Sequence, residues 1–255
     1  MDRRGARFLR AVLVPVAVLV LWEVLSRTGV FSPLVMPAPS RVAVRWWDYA
    51  SSGEMLQDAT GSITRVAGGF AIGAGLAIPL GLLMGAKPWV NELFDPLLQV
   101  LRPIPPIAYI PLAILWFGLG DPPAFFLIAL GAFFPVLVNT IAGVRHVDSI
   151  HLRAAQNLGA SEWTIFRRVI LPSAMPYVLS GMRVGIGVAF IVVIVAEMTA
   201  VNRGLGYRIL EAREYFWSDK IIAGMITIGL IGLAIDLVMG RITSRVLRWH
   251  RGLEG

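Results

Sequence analysis

Six stretches of about twenty predominantly apolar residues recur along this chain, at about 8–26, 62–86, 96–118, 124–144, 177–200 and 221–240. A helix needs about 20 such residues to cross the hydrocarbon layer of a bilayer. No water is available there to satisfy backbone N–H and C=O groups, so a run of this length must close its hydrogen bonds within itself as a helix. Hydrophobic residues make up 56% of the 255, charged residues only 15%, and the mean hydropathy is +0.71. That balance is too apolar for a soluble domain. The fold expected is an all-α polytopic membrane protein with about six transmembrane helices, a single domain over 1–255 with its core at 60–245. The first run is too long for a signal-peptide core and lacks a convincing cleavage site, so it reads as a retained span.

The polar interval between the fourth and fifth spans, 145–176, carries a pattern of its own. Leu152, Ala155 and Leu158 fall three apart and give a first short helix one apolar stripe. Gly159 follows, a residue able to take the left-handed conformation that ends helices. Trp163, Phe166 and Ile170 then recur at three and four, with Ser161 as N-cap and Pro172 as the expected stop. Pattern alone fits either an ordinary inter-helix loop or a helix–turn–helix bracket lying on the membrane surface.

Lys and Arg fix the expected orientation, because cytoplasmic segments carry the excess. With the N-terminus inside, the inner segments hold fourteen, among them Arg3, Arg4, Arg7 and Arg10 at the start and Arg241, Arg245, Arg248 and Arg251 at the end. The outer segments hold seven. Both termini and the 145–176 bracket are thus expected in the cytoplasm. The net charge of +7 is in large part this topology, so it does not argue for nucleic acid. There is no Cys, and His146, His151 and His250 show no metal-ligand spacing. No Gly-x4-Gly-Lys-Ser/Thr phosphate loop occurs; if ATP drives this protein, another chain hydrolyses it.

Within the spans, Gly69, Gly73, Ala77, Gly81 and Gly85 recur every four residues, a stripe that lets another helix approach closely, in the same subunit or across an interface. Pro103, Pro105, Pro106 and Pro111 must kink or interrupt the third span, either as a structural bend or as a break lining a cavity; Arg102 beside them either faces a pore or snorkels to the surface. The segment 207–217 reads as amphipathic and lies on the outer surface, as a docking surface or as a solvated loop with interfacial anchors. Arg183 and Asp236 lie roughly 9 Å and 7.5 Å inside the same edge of the fifth and sixth spans, counted at the helical rise. Their matched depth predicts an ion pair near an inner gate, against a rival in which Arg183 snorkels and Asp236 pairs with Arg241 or Arg245.

Ala154-Ala155, Gly159, Val169 and Leu171-Pro172 stand at spacings that resemble the cytoplasmic coupling motif of binding-protein-dependent ATP-binding-cassette (ABC) importer permeases, Glu-Ala-Ala, three residues, Gly, nine residues, Ile, any residue, Leu-Pro. Arg153 stands where Glu is usual, and Val169 where Ile is. The block 101–120, Ala196-Glu197-Met198 and Gly204–Tyr207 resemble the nitrate/sulfonate/taurine/bicarbonate branch, and Arg153-Ala154-Ala155-Gln156 is similar to its taurine-type members. The resemblance implies a permease subunit that is not itself an enzyme and binds no cofactor, ATP and Mg being held by partners. It implies a bacterial inner-membrane assembly of two permease copies, two cytosolic ATPase subunits and a soluble extracytoplasmic binding protein. It implies import of a small anion, taurine or an aliphatic sulfonate foremost, with nitrate, bicarbonate or a thiamine-precursor pyrimidine as alternatives. Arg153, Ala154, Ala155, Gly159, Ala160 and Pro172 are the expected ATPase-coupling residues. Arg102, Pro105, Pro106, Arg183, Glu197 and Asp236 are those expected at the path or gate. A self-sufficient secondary transporter or channel is the competing class; it would need intramembrane carboxylates or histidines, and only Glu197 and Asp236 qualify by position.

Overall fold

The computed structural model describes residues 3–247, with side chains from Leu13 onward; the basic residues Arg248 and Arg251, and His250, lie outside the described residues. The described chain is helical throughout. α1 (Arg3–Arg27) leads to the amphipathic α2 (Pro39–Ser51), followed by the long α3 (Glu54–Ala86). α4 (Pro88–Leu101) and α5 (Ile110–Phe117) flank a break, and α6 (Asp121–Arg145) follows. The 145–176 bracket contains α7 (Ser149–Asn157) and the short α8 (Glu162–Ile165), which runs through one π turn (Phe166–Ile170) into α9 (Leu171–Ala200). α10 (Leu205–Glu214) and α11 (Ser218–Val246) complete the chain.

Four helices among the described residues are long and apolar enough to cross a membrane: α3, α6, the continuous Glu162–Ala200 helix and α11. The α4–α5 pair qualifies jointly, bent by 82°. It counts as a broken crossing, because its two ends are at opposite ends of the bundle. Lys87, just before α4, pairs with Glu162 at the bracket end, whereas the Gly120 N–H, just after α5, donates to the Ala200 carbonyl at the far end. Five of the six expected spans are therefore present. The remaining one coincides with α1, whose side chains are only partly among those described.

The proline block explains the break. Pro103, Pro105 and Pro106 have no N–H to give, and Pro105 sits extended at ψ 138° ahead of a single 3₁₀ turn (Pro106–Tyr109). Pro96 does not open the third span as its position suggested. The helix begins at Pro88, where proline costs nothing at the first turn, and Pro96 lies inside it.

The core is a three-helix contact among α3, α6 and α9. The glycine stripe of α3 is spent inside the subunit, since a Cβ on Gly69, Gly81 or Gly85 would collide with Ile128, Thr140 or Val144 of α6. Overpacking of this kind costs about 1–3 kcal/mol. α2 is held against α11 by Arg41 and Arg45, whose Nε atoms lie 3.1 and 3.2 Å from the buried Asp219 carboxylate.

Candidate functional site

Three groups of residues bear on function: the bracket, a cavity at the proline break, and polar clusters within the spans. The first half of the bracket folds as its spacing predicts. The Asp148 carboxylate accepts the Ile150 N–H at 2.8 Å and caps α7. Gly159 takes φ +76°, and the Ala160 N–H reaches back to the Ala155 carbonyl at 3.1 Å, the closing bond of a Schellman end. Ser161 caps α8 through the Thr164 N–H. Arg153, Ala154 and Gly159 are exposed, and Ala155 and Ala160 half-buried. Leu158 is 87% and Trp163 66% exposed, apolar side chains on a polar surface facing away from their own subunit. Pro172 is not the stop it was expected to be. The π turn at Phe166–Ile170 widens the backbone just before it, so the ring is accommodated and the helix runs on to Ala200.

At the proline break a cavity of about 380 Å3 opens between the α4–α5 elbow, α6 and α9. Arg102, Pro105 and Pro106 line it, together with Asn139 and Phe134 of α6 and Val184 and Val188 of α9. Arg102 is exposed and makes no ion pair among the described residues.

Arg183 and Asp236 do meet. The guanidinium holds the carboxylate in bidentate fashion, Nε to Oδ1 at 2.8 Å and Nη2 to Oδ2 at 2.7 Å, with half of each side chain still exposed. The snorkelling alternative is thereby displaced.

Glu197 lies elsewhere. It is fully buried and away from the cavity, at the far end of the bundle. Its carboxylate accepts from Arg65 Nη1 at 2.7 Å, Ser62 Oγ at 2.9 Å and the Gly206 N–H at 2.9 Å. Arg65 also reaches Asp121 at 2.7 Å and the Arg203 carbonyl at 3.1 Å. One guanidinium thus ties α3, α6 and α9 together. Beside it Asp58 accepts from the Gly204 N–H at 3.2 Å, from Arg208 at 3.0 Å and from the Tyr49 hydroxyl at 2.8 Å. Burial, then the bond to Asp58, holds the Tyr49 phenol protonated well above its ordinary range. A carboxylate on the N–H groups that open α10 is also the favourable sign for a helix start. Glu197 thus does not line that cavity; buried and fully partnered, it joins α3 to α9. Asp58 and Arg65 escape the reading of the sequence. Their signal is nonetheless present there, since Asp58, Ser62 and Arg65 recur at four and three and so share one face of α3.

The family described as binding-protein-dependent transport system inner membrane component matches residues 77–248. A Bacillus subtilis protein named for aliphatic sulfonates transport is 36% identical over 253 residues, 99% of this chain and 92% of its own. The taurine transport system permease protein of Escherichia coli is 35% identical over 237 residues, 91% and 86% of the two chains. Among solved structures, the MetNI methionine ABC transporter in inward-facing conformations superimposes with a TM-score of 0.66 at 16% identity, over 75% of this chain and 95% of that one. That likeness is one of fold.

Proposed function

The chain belongs to the family of inner membrane components of binding-protein-dependent transport systems, and from that premise we propose that it forms the translocation path for a small organic anion, an aliphatic sulfonate or taurine. It is a permease of the sulfonate/taurine/nitrate branch of ABC transporters, a multi-pass inner-membrane subunit and not itself an enzyme. Dependence on a binding protein implies both that soluble protein and an ATPase as partners. The finer assignments are ours: two permease copies as one domain each over 1–255, two ATPase subunits on the cytosolic side, and both termini inside. Nitrate or bicarbonate import uses the same architecture and is a result the assay below can return.

The observation that carries the anion reading is Arg102, a cation that lines the cavity and makes no ion pair among the described residues. Charges that line cavities between spans mark solute pathways. A self-powered transporter finds little support here, because the two carboxylates that qualify by position in the sequence are engaged, Glu197 by Arg65 and Asp236 by Arg183. The bracket supports coupling to a separate ATPase. Ala154, Ala155, Gly159 and Ala160 present a small-residue surface beside Arg153, flanked by the exposed Leu158 and Trp163. Pro172 takes part only through the π turn that joins the bracket to α9.

The test is reconstitution of the permease with its ATPase and binding protein in proteoliposomes. Labelled taurine is expected to accumulate only with ATP, with ethanesulfonate competing more strongly than nitrate or bicarbonate. ATP-independent uptake, or no uptake of any of these anions, refutes the proposal.

A further inference from the structure

The lining of the cavity at the proline break mixes two kinds of side chain. Two are polar, Arg102 from the elbow and Asn139 from α6. The rest are apolar, among them Phe134, Val184 and Val188. Asn139 donates one amide hydrogen to the Pro135 carbonyl at 2.8 Å. An amide carries two donors, so this bond fixes the side chain and leaves its second N–H uncommitted. A volume of about 380 Å3 lies within the range of small-molecule sites, which are mostly apolar with a few placed polar groups. It far exceeds the roughly 30 Å3 share of one water.

We infer that this cavity is a resting site within the permease for the solute in transit, taking an anion of one charged oxygen-bearing head on a short apolar stem. The head sits between the Arg102 guanidinium and the free Asn139 N–H, and the stem lies on Phe134, Val184 and Val188. A guanidinium and an amide donor match an oxyanion and leave a cation or an uncharged solute unpaired. The apolar lining is wasted on a bare oxyanion, which would leave it wet. The permease thus adds selectivity of its own, by head charge and by stem length, after the binding protein has released its cargo. This inference rests on the anion reading above.

The test uses the complete reconstituted complex with taurine and a series of alkanesulfonates of increasing chain length, read against ATP hydrolysis stimulated by the binding protein. Asn139→Asp keeps the size of the side chain but places a negative charge beside the head. It is expected to lower uptake at least about tenfold, as like-charge contacts do, with stimulated ATP hydrolysis retained. Arg102→Gln, on an exposed side chain where folding is not at stake, is expected to lose uptake, and Arg102→Lys to keep part of it. Val184→Trp adds bulk at a half-exposed position and should penalise long stems more than short ones. If Asn139→Asp or Arg102→Gln imports the sulfonates at the wild-type rate, the site is overturned, while uptake of anions by the wild type upholds the anion reading independently. The site is overturned in the same way if Val184→Trp affects every chain length equally. A wild-type complex that moves no anion overturns the reading and this site with it.

Discussion

Replacing Arg65 by Met should be among the most damaging single changes in the spans, and Glu197→Gln should be distinctly milder. Arg65→Met removes the only charged partner, among the described residues, of a carboxylate that is 0% exposed, leaving Glu197 with two neutral donors, Ser62 and Gly206. Breaking a buried pair from one side costs about 3–5 kcal/mol, mostly the uncompensated charge left behind. Asp121 loses the same partner but is half exposed and can turn to water. Glu197→Gln instead leaves Arg65 on Asp121 at 2.7 Å and on the Arg203 carbonyl at 3.1 Å, and its amide oxygen still accepts a hydrogen bond. About half the loss is expected, roughly 1.5–2.5 kcal/mol. The double variant, with no charge stranded at all, should be more stable than Arg65→Met alone. In a chain of this size each kcal/mol moves the midpoint by about 2–4 °C, so Arg65→Met should lower the apparent Tm by about 6–20 °C. The assay is thermal unfolding of the purified permease in detergent, followed by the loss of its monodisperse elution peak. A double variant no more stable than Arg65→Met, or an Arg65→Met shift within error, refutes the stranded-charge reasoning.

Gly159→Asp should leave the permease inserted but unable to transport, with the ATPase subunits lost on purification. A side chain at φ +76° costs about 1–2 kcal/mol, and the added carboxylate stands in the proposed docking surface. Normal assembly and uptake would remove the bracket from coupling. Single neutral substitutions of Arg183 or Asp236 should each impair uptake, and the swapped Arg183→Asp with Asp236→Arg should recover part of it. A swap no better than the worse single variant would show that the contact has no role in transport. Tyr49 supplies a pH signature. Its folded pKa is raised, so its contribution is complete below the ordinary tyrosine value near 10 and is lost as the pH climbs beyond it. The extra Tm loss of wild type over Tyr49→Phe should therefore develop only above about pH 10, and equal slopes would contradict the buried bond to Asp58.

Much of this architecture is legible in the sequence because a few physical quantities do not vary. Helical rise is one, which is why matched depth alone brings Arg183 and Asp236 together before any contact is known. The preference of left-handed backbone for glycine is another, and it locates Gly159. Partner choice is not legible. The α3 glycines announce a close helix contact, but nothing in their spacing names α6 rather than a second subunit. Arg65 and Glu197 are separated by 132 positions, and only the folded bundle shows that they meet. Pro172 misleads because no residue type marks a π turn, so a proline in a long apolar run looks like an end. Asn139 passes unnoticed as one amide in a hydrophobic helix. Its meaning depends on the proline break, itself readable, lying opposite it.

The continuous helix from Glu162 to Ala200, 39 residues long, has a mechanical consequence. It is clamped by Arg65 at Glu197, near one tip, and ends at the other tip in the exposed bracket. Taken as a lever about that clamp, its arm to Trp163 is roughly 50 Å and its arm to Val188 roughly 14 Å, at 1.5 Å per residue. Motion as one piece is therefore geared down. A displacement of about 4 Å imposed at the bracket becomes about 1 Å at the cavity wall. A coarse stroke by a partner is converted into fine adjustment where the solute rests, and the same ratio multiplies the force delivered there.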